Sequence, residues 1–294
     1  MLRHSIPRLL CAAAGLTTVL SCSAVCYAQS VEEEAVHWAY AAYFGTGRYR
    51  LSDGQKTFVV GLKPGWEPRE ASLDEDGKRV IGLRLRMPVT LGTHSFDTNA
   101  PLANLELDNV ATMSAVPGVE IEIPMRPRWS LKPIAHLGWG SRLDGSASAW
   151  IYWVGLKSQL EFEAGKTEWA LVNSLTRVGY TPSKGSSGRA LPLLTGFEFR
   201  RPLERRKLGG DMVFLNWHLA YTRYLDGLGL DFANSTIPAI DIGNEWELGL
   251  GFSKGDRRLK LWRLGWDRVG LAYRFDDTGE FRGLSLVFRS LFDR

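Results

Sequence analysis

Apolar and polar residues alternate along many stretches of this chain. Between Ile81 and Leu91 every odd-numbered residue is apolar, whereas the even-numbered residues are Gly, Arg, Arg, Pro and Thr. Because successive side chains of an extended strand point to opposite faces, this segment is expected to form a strand with one apolar and one polar face. About a dozen such segments, with no helical blocks between them, predict an all-β fold: a closed antiparallel transmembrane β-barrel of about 12 strands.

The connections between the predicted strands also alternate in length. Short turns are predicted near 126–128, 164–165 and 254–256, and longer loops at 92–113, 181–189 and 226–243. Short turns at one end and long loops at the other are typical of outer-membrane barrels. Two further connections, 66–78 and 201–211, are longer than this rule expects. The predicted strands lie near 37–51, 58–63, 81–91, 119–125, 129–139, 150–163, 169–180, 193–200, 213–222, 245–252, 259–275 and 281–292.

The first 28 residues have the pattern of a secretory signal. Arg3 and Arg8 precede the apolar segment Leu9–Val19, and small residues at 26 and 28 place a cleavage site before Gln29. We therefore predict a removed signal at 1–28, a short acidic lead at 29–35 and a barrel domain at 36–294. Together with the strand pattern, this signal predicts a location in the bacterial outer membrane.

Cysteine content and charge exclude several function classes. All three cysteines, Cys11, Cys22 and Cys26, fall in the predicted signal, which leaves the rest without a disulfide or a thiolate site. Of the 36 basic residues two also fall there, so 34 remain against 32 acidic residues. This near balance gives no reason to expect a nucleic-acid partner.

Tryptophans are predicted at several strand ends, where an aromatic girdle would meet lipid headgroups. These residues are Trp66, Trp129, Trp139 and Trp150. Thirty-one glycines and 33 aromatic residues suit such a barrel, but they also suit a soluble β-sandwich with tryptophans in its core. The alternation, which would place Gly, Arg and Glu on many inner faces at once, favours the barrel.

Four segments resemble a known family. Tyr43–Tyr49 resembles the opening of the solitary outer-membrane autotransporter-like β-barrels, Asp267–Phe275 and Phe281–Phe288 resemble their end, and Val116–Glu120 is also similar. The resemblance implies a twelve-stranded barrel of translocator type without a passenger domain. It implies no catalytic residue.

The last predicted strand carries a signal of its own. Leu284, Leu286, Phe288, Ser290 and Phe292 share one face. This segment resembles the C-terminal strand through which outer-membrane barrels meet the barrel-assembly machinery. Outer-membrane lipids and that machinery are therefore the expected partners, and no cofactor is expected.

Charged residues alternate on the predicted inner face. Glu120 and Glu122 lie two apart on one strand, Arg84 and Arg86 lie likewise on the preceding strand, and Lys132 lies on the following one. Antiparallel neighbours bring such residues together, which predicts a ladder of ion pairs inside the barrel. A selectivity filter and acid/base work on a glycan are the alternatives. The ladder is predicted to continue with Lys157, Glu161, Glu245 and Glu247.

The histidines do not form a recognisable catalytic or metal-binding motif. An outer-membrane lipid hydrolase needs a serine and a histidine on the outer surface, whereas the parity of His218 places it inside. His94 and Ser95 would point in opposite directions, and His136 has no partner at a useful spacing. We therefore expect a non-enzymatic barrel with a structural or porin-like transport role. The alternatives are a lipid-modifying hydrolase and a surface-binding module acting through loops 92–113 and 226–243.

Overall fold

The structure is a computed structural model. It describes residues 45–51, 56–73, 76–95, 110–183, 187–230, 240–254, 259–261, 264–266 and 268–291. Twenty strand segments lie in these ranges: β1 (Gly47–Leu51), β2 (Lys56–Leu62), β3 (Gly65–Arg69), β4 (Ser72–Leu73), β5 (Arg79–Val80), β6 (Gly82–Arg86), β7 (Val89–Ser95), β8 (Val110–Ala115), β9 (Gly118–Arg126), β10 (Trp129–Arg142), β11 (Ser148–Ala164), β12 (Thr167–Pro182), β13 (Gly188–Ala190), β14 (Pro192–Leu208), β15 (Asp211–Leu230), β16 (Ile240–Lys254), β17 (Leu259–Leu261), β18 (Leu264–Trp266), β19 (Val269–Phe275) and β20 (Phe281–Val287).

Twelve antiparallel strands, here called wall strands, close into a barrel, as the alternation predicted. Their order around the barrel is β1, β2–β3, β6–β7, β8–β9, β10, β11, β12, β14, β15, β16, β19 and β20. The seam is formed by β1 and β20, which pair from Gly47 opposite Ser285 to Leu51 opposite Phe281. Because every wall strand has a neighbour on each side, the barrel has no open sheet edge. The prediction of an all-β closed barrel is confirmed, and the soluble sandwich is excluded.

Three of the wall strands are interrupted by proline. These strands consist of the consecutive segments β2–β3, β6–β7 and β8–β9, and the breaks fall at Pro64, Pro88 and Pro117. Each strand keeps the same register with its neighbour on both sides of the break. Proline has no N–H to give to a ladder, but its carbonyl still accepts. The carbonyl oxygens of the three prolines accept hydrogen bonds from Met87 N at 3.0 Å, Val116 N at 2.9 Å and Leu137 N at 3.0 Å, respectively.

The connections define the two ends of the barrel. We name the end with the two-residue turns 127–128, 165–166 and 209–210 the turn end, and the opposite end the loop end. The first two of these turns lie where the sequence predicted short turns. The predicted connection at 201–211 is wrong, because β14 continues to Leu208 and pairs with β15 around a bulge. The turn itself is Gly209–Gly210, with φ of 59° and 89°.

Other predicted boundaries also shift. The long loops are shorter than predicted because their flanking strands extend further: β7 ends at Ser95 and β8 begins at Val110, and β15 ends at Leu230. The predicted strand at 259–275 is divided into the small hairpin β17–β18 and the wall strand β19. The predicted segment at 37–44 lies outside the described residues, as do the signal and the lead.

The outer face of the wall is apolar. On strand after strand, alternate residues combine a large apolar side chain with high exposure. The inward positions between them are buried and often polar. Among the described residues, no helix is long and apolar enough to cross a membrane. The exposed set includes Leu85, Met87, Leu91, Leu137, Trp139, Trp150, Val154, Leu156, Phe197, Leu248, Leu250, Phe252, Leu271, Leu284 and Leu286.

Aromatic side chains form a band near the turn end. Phe162, Trp169, Phe199 and Trp217 follow one another on four adjacent wall strands, with ring centroids 6.2, 5.4 and 4.5 Å apart. Trp139 lies opposite Trp150 nearer the loop end, and both are exposed. Of the predicted tryptophans, Trp66, Trp139 and Trp150 are exposed rather than part of a core, and the turn-end band consists of other residues.

Candidate functional site

Arg84 lies at the centre of a charged cluster inside the barrel. The register of β6 and β9 places it opposite Glu120 and beside Glu122. Its Nη1 lies 3.4 Å from Glu120 Oε1, and its Nη2 lies 3.3 Å from Glu122 Oε2. Its Nε donates to Glu67 Oε1 at 2.6 Å, a contact that the sequence analysis did not predict. One guanidinium therefore holds three carboxylates.

The cluster extends along and across the wall. Arg86 Nη2 lies 3.8 Å from Glu120 Oε1, and Lys132 Nζ lies 3.3 Å from Glu122 Oε1. The structure thus brings together five of the nine residues of the predicted ladder in one cluster. Glu120 is only 2% exposed, so its charge depends on these partners rather than on water.

A second charged network joins β15, β16 and β19. Arg274 Nε donates to Glu247 Oε2 at 2.7 Å and lies 3.4 Å from Glu245 Oε1. The other oxygen of Glu247 lies 2.6 Å from His218 Nε2, and Tyr224 Oη donates to Glu245 Oε2 at 2.8 Å. All five residues are buried. The two glutamates were predicted, but Arg274 and Tyr224 were not.

A third network lies closer to the turn end and was not predicted. Glu198 of β14 is bonded to Arg268 through Oε1, and its Oε2 accepts a hydrogen bond from the backbone N of Leu291 at 3.0 Å. All three residues are buried. They are separated by 70 and 93 positions along the chain, so no local spacing signals this cluster.

Two further residues of the predicted ladder lie on β11. Lys157 is buried and lies opposite Lys132 in the β10–β11 register. Glu161 lies near the turn end of the same strand, where it is exposed and accepts a hydrogen bond from Gln159. It therefore stands at the rim of the barrel rather than in the buried ladder.

The charged side chains surround a cavity at the turn end. Its volume is about 570 Å³. Its lining contains as many acidic as basic side chains, so the cavity has no dominant sign. Among the side chains that line it are Arg84, Glu122, Lys132, Glu161, Glu198 and Arg200.

The loop end of the interior is filled instead by apolar side chains. Val116 is 0% exposed, and Phe281 is 1% exposed. Tyr49 stacks on Phe281 with ring centroids 5.9 Å apart. We refer to this set as the apolar cluster; its members are Tyr49, Val59, Val116, Ala149, Ile151, Val178, Tyr180, Ala190, Tyr224, Leu228, Ile242 and Phe281.

The two histidines of the central wall strands both face inward. His136 Nδ1 lies 3.1 Å from the carbonyl oxygen of Val116, and its ring stacks on Trp153 at 4.4 Å. His218 belongs to the second network. No group of three metal-ligating side chains occurs among the described residues. Neither histidine is available on the outer surface for lipid chemistry.

Comparisons with known proteins support the fold. The sequence matches no protein-family model and no curated protein. Among solved structures, the chain is similar to the β domain of the Bordetella autotransporter BrkA, with 14% identity over 82% of this chain and 92% of that chain and a TM-score of 0.53. The chain therefore has the fold of an autotransporter β domain, as the resemblance implied.

Two further solved structures are weaker matches. The translocator domain of the autotransporter NalP from Neisseria meningitidis is 14% identical, with 82% of each chain covered and a TM-score of 0.45. The transport unit of the autotransporter AIDA-I from Escherichia coli is 11% identical over 82% of this chain and 87% of that chain, with a TM-score of 0.43.

Proposed function

We propose that this chain is an integral protein of a bacterial outer membrane, with a wall of the autotransporter translocator type and an interior that is closed at rest. Its role is structural, as a stable membrane-embedded barrel that works without a passenger. The observation that carries the proposal is the content of the interior. Apolar side chains fill its loop end, and three ion-pair networks cross-link the remainder.

The membrane location is supported by the outer face. A soluble domain rarely exposes a contiguous apolar patch of more than a few hundred Å². Here exposed leucine, phenylalanine and tryptophan side chains recur on alternate residues of adjacent wall strands. An aromatic band lies beside them near the turn end, and the exposed pair Trp139 and Trp150 lies nearer the loop end, where aromatic residues flank the apolar zone of outer-membrane barrels. Membrane lipids are therefore the proposed partners of this face.

The closed interior is supported by burial. A side chain that lines a water-filled passage is accessible to water, but Leu228, Ile242 and Phe281 are each 1% exposed. An extended or helical polypeptide could cross this end only by displacing these packed side chains. The proposal of a passenger-free role rests on this packing.

Small-solute passage is the second candidate function. The cavity of about 570 Å³ favours it, because a lining of both acidic and basic groups can bind and release a hydrated solute in several places. The apolar cluster opposes it, since a solute would have to displace that cluster to cross. A selectivity role for the ladder belongs to this second candidate.

We further propose that the chain is not an enzyme and that β20 presents the barrel to the assembly machinery. The inward placement of His136 and His218 supports the first point against a lipid hydrolase. The alternation of Leu284 and Leu286 on the outer face supports the second. The surface-binding alternative concerns loops whose central residues, 96–109 and 231–239, lie outside the described residues.

Conductance across planar lipid bilayers tests the closed interior. We expect the refolded protein to give no steady current. The variant Phe281→Ala, which opens a void in the apolar cluster, should give frequent brief openings. Leu284→Ala changes the outer face of the same strand and should stay silent. A large steady conductance of the unmodified barrel would overturn the proposal in favour of a porin.

A further inference from the structure

The chain turns into the barrel after its last wall strand. The ladder between β19 and β20 ends at Val287, which is paired with Gly270. The sequence predicted that the strand would continue to 292 with Ser290 on the same face as Leu284 and Leu286, and this is wrong. Ser290 and Leu291 are both buried, and Leu291 is 4% exposed. We name residues Phe288–Leu291 the inward segment.

Leu291 is seated on wall strands far from β20. Its side chain packs against Val172 of β12 and Ala220 of β15, with Leu194 beside them. Gly196 of β14 leaves the space, because a Cβ at that position would lie 2.9 Å from Leu291 Cδ1. Since β19, β16 and β15 separate β20 from β14 in the wall, the inward segment reaches across the interior.

Glu198 fixes this position. Its Oε2 accepts the hydrogen bond from Leu291 N at 3.0 Å, while Arg268 binds Oε1. A buried carboxylate gains from each N–H that it accepts, so the segment and the arginine stabilise the same charge. Loss of the segment would leave one oxygen of Glu198 without this donor.

The seat lies at the inner limit of the charged cavity. Ala170, Glu198 and Ser290 line that cavity. Val172 and Gly196 are the next inward-facing positions on β12 and β14 toward the loop end. Leu291 therefore stands between the cavity and the part of the interior that leads to the apolar cluster.

We propose that the inward segment is a gate that closes the inner limit of the charged cavity and that Glu198 is the residue that holds it shut. This inference rests on the proposed closed barrel, and it identifies the part of the closure that can move. The other barriers are side chains of the wall itself. The segment is held by the apolar seat and by hydrogen bonds of Leu291 N to Glu198, of Arg289 to the carbonyl oxygen of Lys63 and of Arg268 N to the carbonyl oxygen of Phe288. None of these contacts belongs to the ladder of a wall strand, so the segment can leave while the wall stays paired.

Disulfide trapping tests the seat. The double variant Gly196→Cys/Leu291→Cys should cross-link under mild oxidation in the folded barrel, because the two positions are in contact. Cross-linking closes a long loop and changes the mobility of the denatured chain on a non-reducing gel. The control is Gly249→Cys/Leu291→Cys, since Gly249 also faces inward but is covered by His218. Equal cross-linking of both pairs, or of neither, would contradict the packing of Leu291 against Gly196.

Accessibility tests the gate. Ala220→Cys places a thiol under Leu291, and we expect a charged methanethiosulfonate reagent to modify it slowly. Adding Leu291→Ala or Glu198→Gln should raise the rate about tenfold or more, because the thiol then meets the cavity. Val116→Cys, in the apolar cluster, should stay slow in all backgrounds. The proposal fails if the Ala220→Cys rate is the same with and without either change.

The two readouts separate this gate from the proposed function. A barrel that conducts steadily before any substitution contradicts the closed interior, whatever the thiol rates. If the barrel gives no steady current but the Ala220→Cys thiol reacts at the same rate with and without the Leu291→Ala change, only the gate is contradicted. Resistance to heat on a denaturing gel confirms that each variant is folded before it is compared.

Discussion

Tyr49 lies directly on Gly283 across the seam that closes the barrel. The two residues are register partners in the pairing of β1 with β20. A Cβ at position 283 would lie 2.6 Å from Tyr49 Cδ1, closer than van der Waals contact allows. The ring can lie flat on the opposite strand and stack with Phe281 because position 283 has no side chain.

Gly283→Ala should therefore weaken the seam. The added methyl group has to push the buried Tyr49 ring aside, and overpacking of this kind costs about 1–3 kcal/mol. The free energy of unfolding in urea, measured in lipid vesicles, checks this. Gly243→Ala is the control, because a Cβ there meets nothing within 4 Å. Equal effects of the two substitutions would contradict the contact.

Glu120→Gln should be strongly destabilising. The substitution removes the charge that Arg84 and Arg86 share, and breaking a buried ion pair in this way costs about 3–5 kcal/mol. The same unfolding measurement applies.

Glu163→Gln serves as its comparison. Glu163 pairs with Arg128 at 3.5 Å, but both side chains are more than half exposed, and exposed pairs contribute about 0–1 kcal/mol. A loss at Glu120 no larger than the loss at Glu163 would show that the ladder does not hold the wall.

The pair formed by Glu247 and Arg274 should be energetically coupled. The variants Glu247→Gln, Arg274→Met and their combination form a double-mutant cycle, for which residues in direct contact give about 0.5–3 kcal/mol of interaction energy. Arg274 lies beside Glu245 as well, so the coupling is expected to be partial. A cycle that closes at zero would contradict the contact.

The alternation of residues was sufficient to predict the barrel. Ile81–Leu91 predicts the faces of β6 and β7 correctly because lipid and interior impose opposite demands on alternate residues. The same rule failed at Arg205, Arg206 and Lys207, because β14 continues through these residues although they present no apolar face. Pairing with β15 resumes at Lys207 after a bulge and maintains that strand beyond the expected membrane span, and a charge run in a sequence does not reveal such pairing.

The candidate site was predictable only where its partners lie on adjacent strands. Arg84, Glu120 and Lys132 come from three wall strands that follow one another in the chain, so their parity was sufficient. Glu198 meets Leu291 because the inward segment crosses the interior, and Arg268 reaches Glu198 from the position before β19. No periodicity encodes either contact. The inward segment does not continue the alternation of β20, because Leu291 packs inside the barrel against Gly196 and donates its backbone N–H to Glu198.

The most direct test of a lipid-covered wall compares substitutions at two leucines of similar exposure. Leu250 is 55% exposed on the outer face of β16, and Leu208 is 57% exposed at the turn end of β14. Leu208 lies further from the start of β14 than the about 9–11 residues that a strand needs to cross a membrane. If the outer face meets lipid, Leu250→Lys should lower the free energy of unfolding from phospholipid bilayers by about 2–4 kcal/mol, and Leu208→Lys should lower it by about 1 kcal/mol or less. Equal small effects at both positions would mean that water, not hydrocarbon, covers the wall, which would contradict a membrane-spanning barrel.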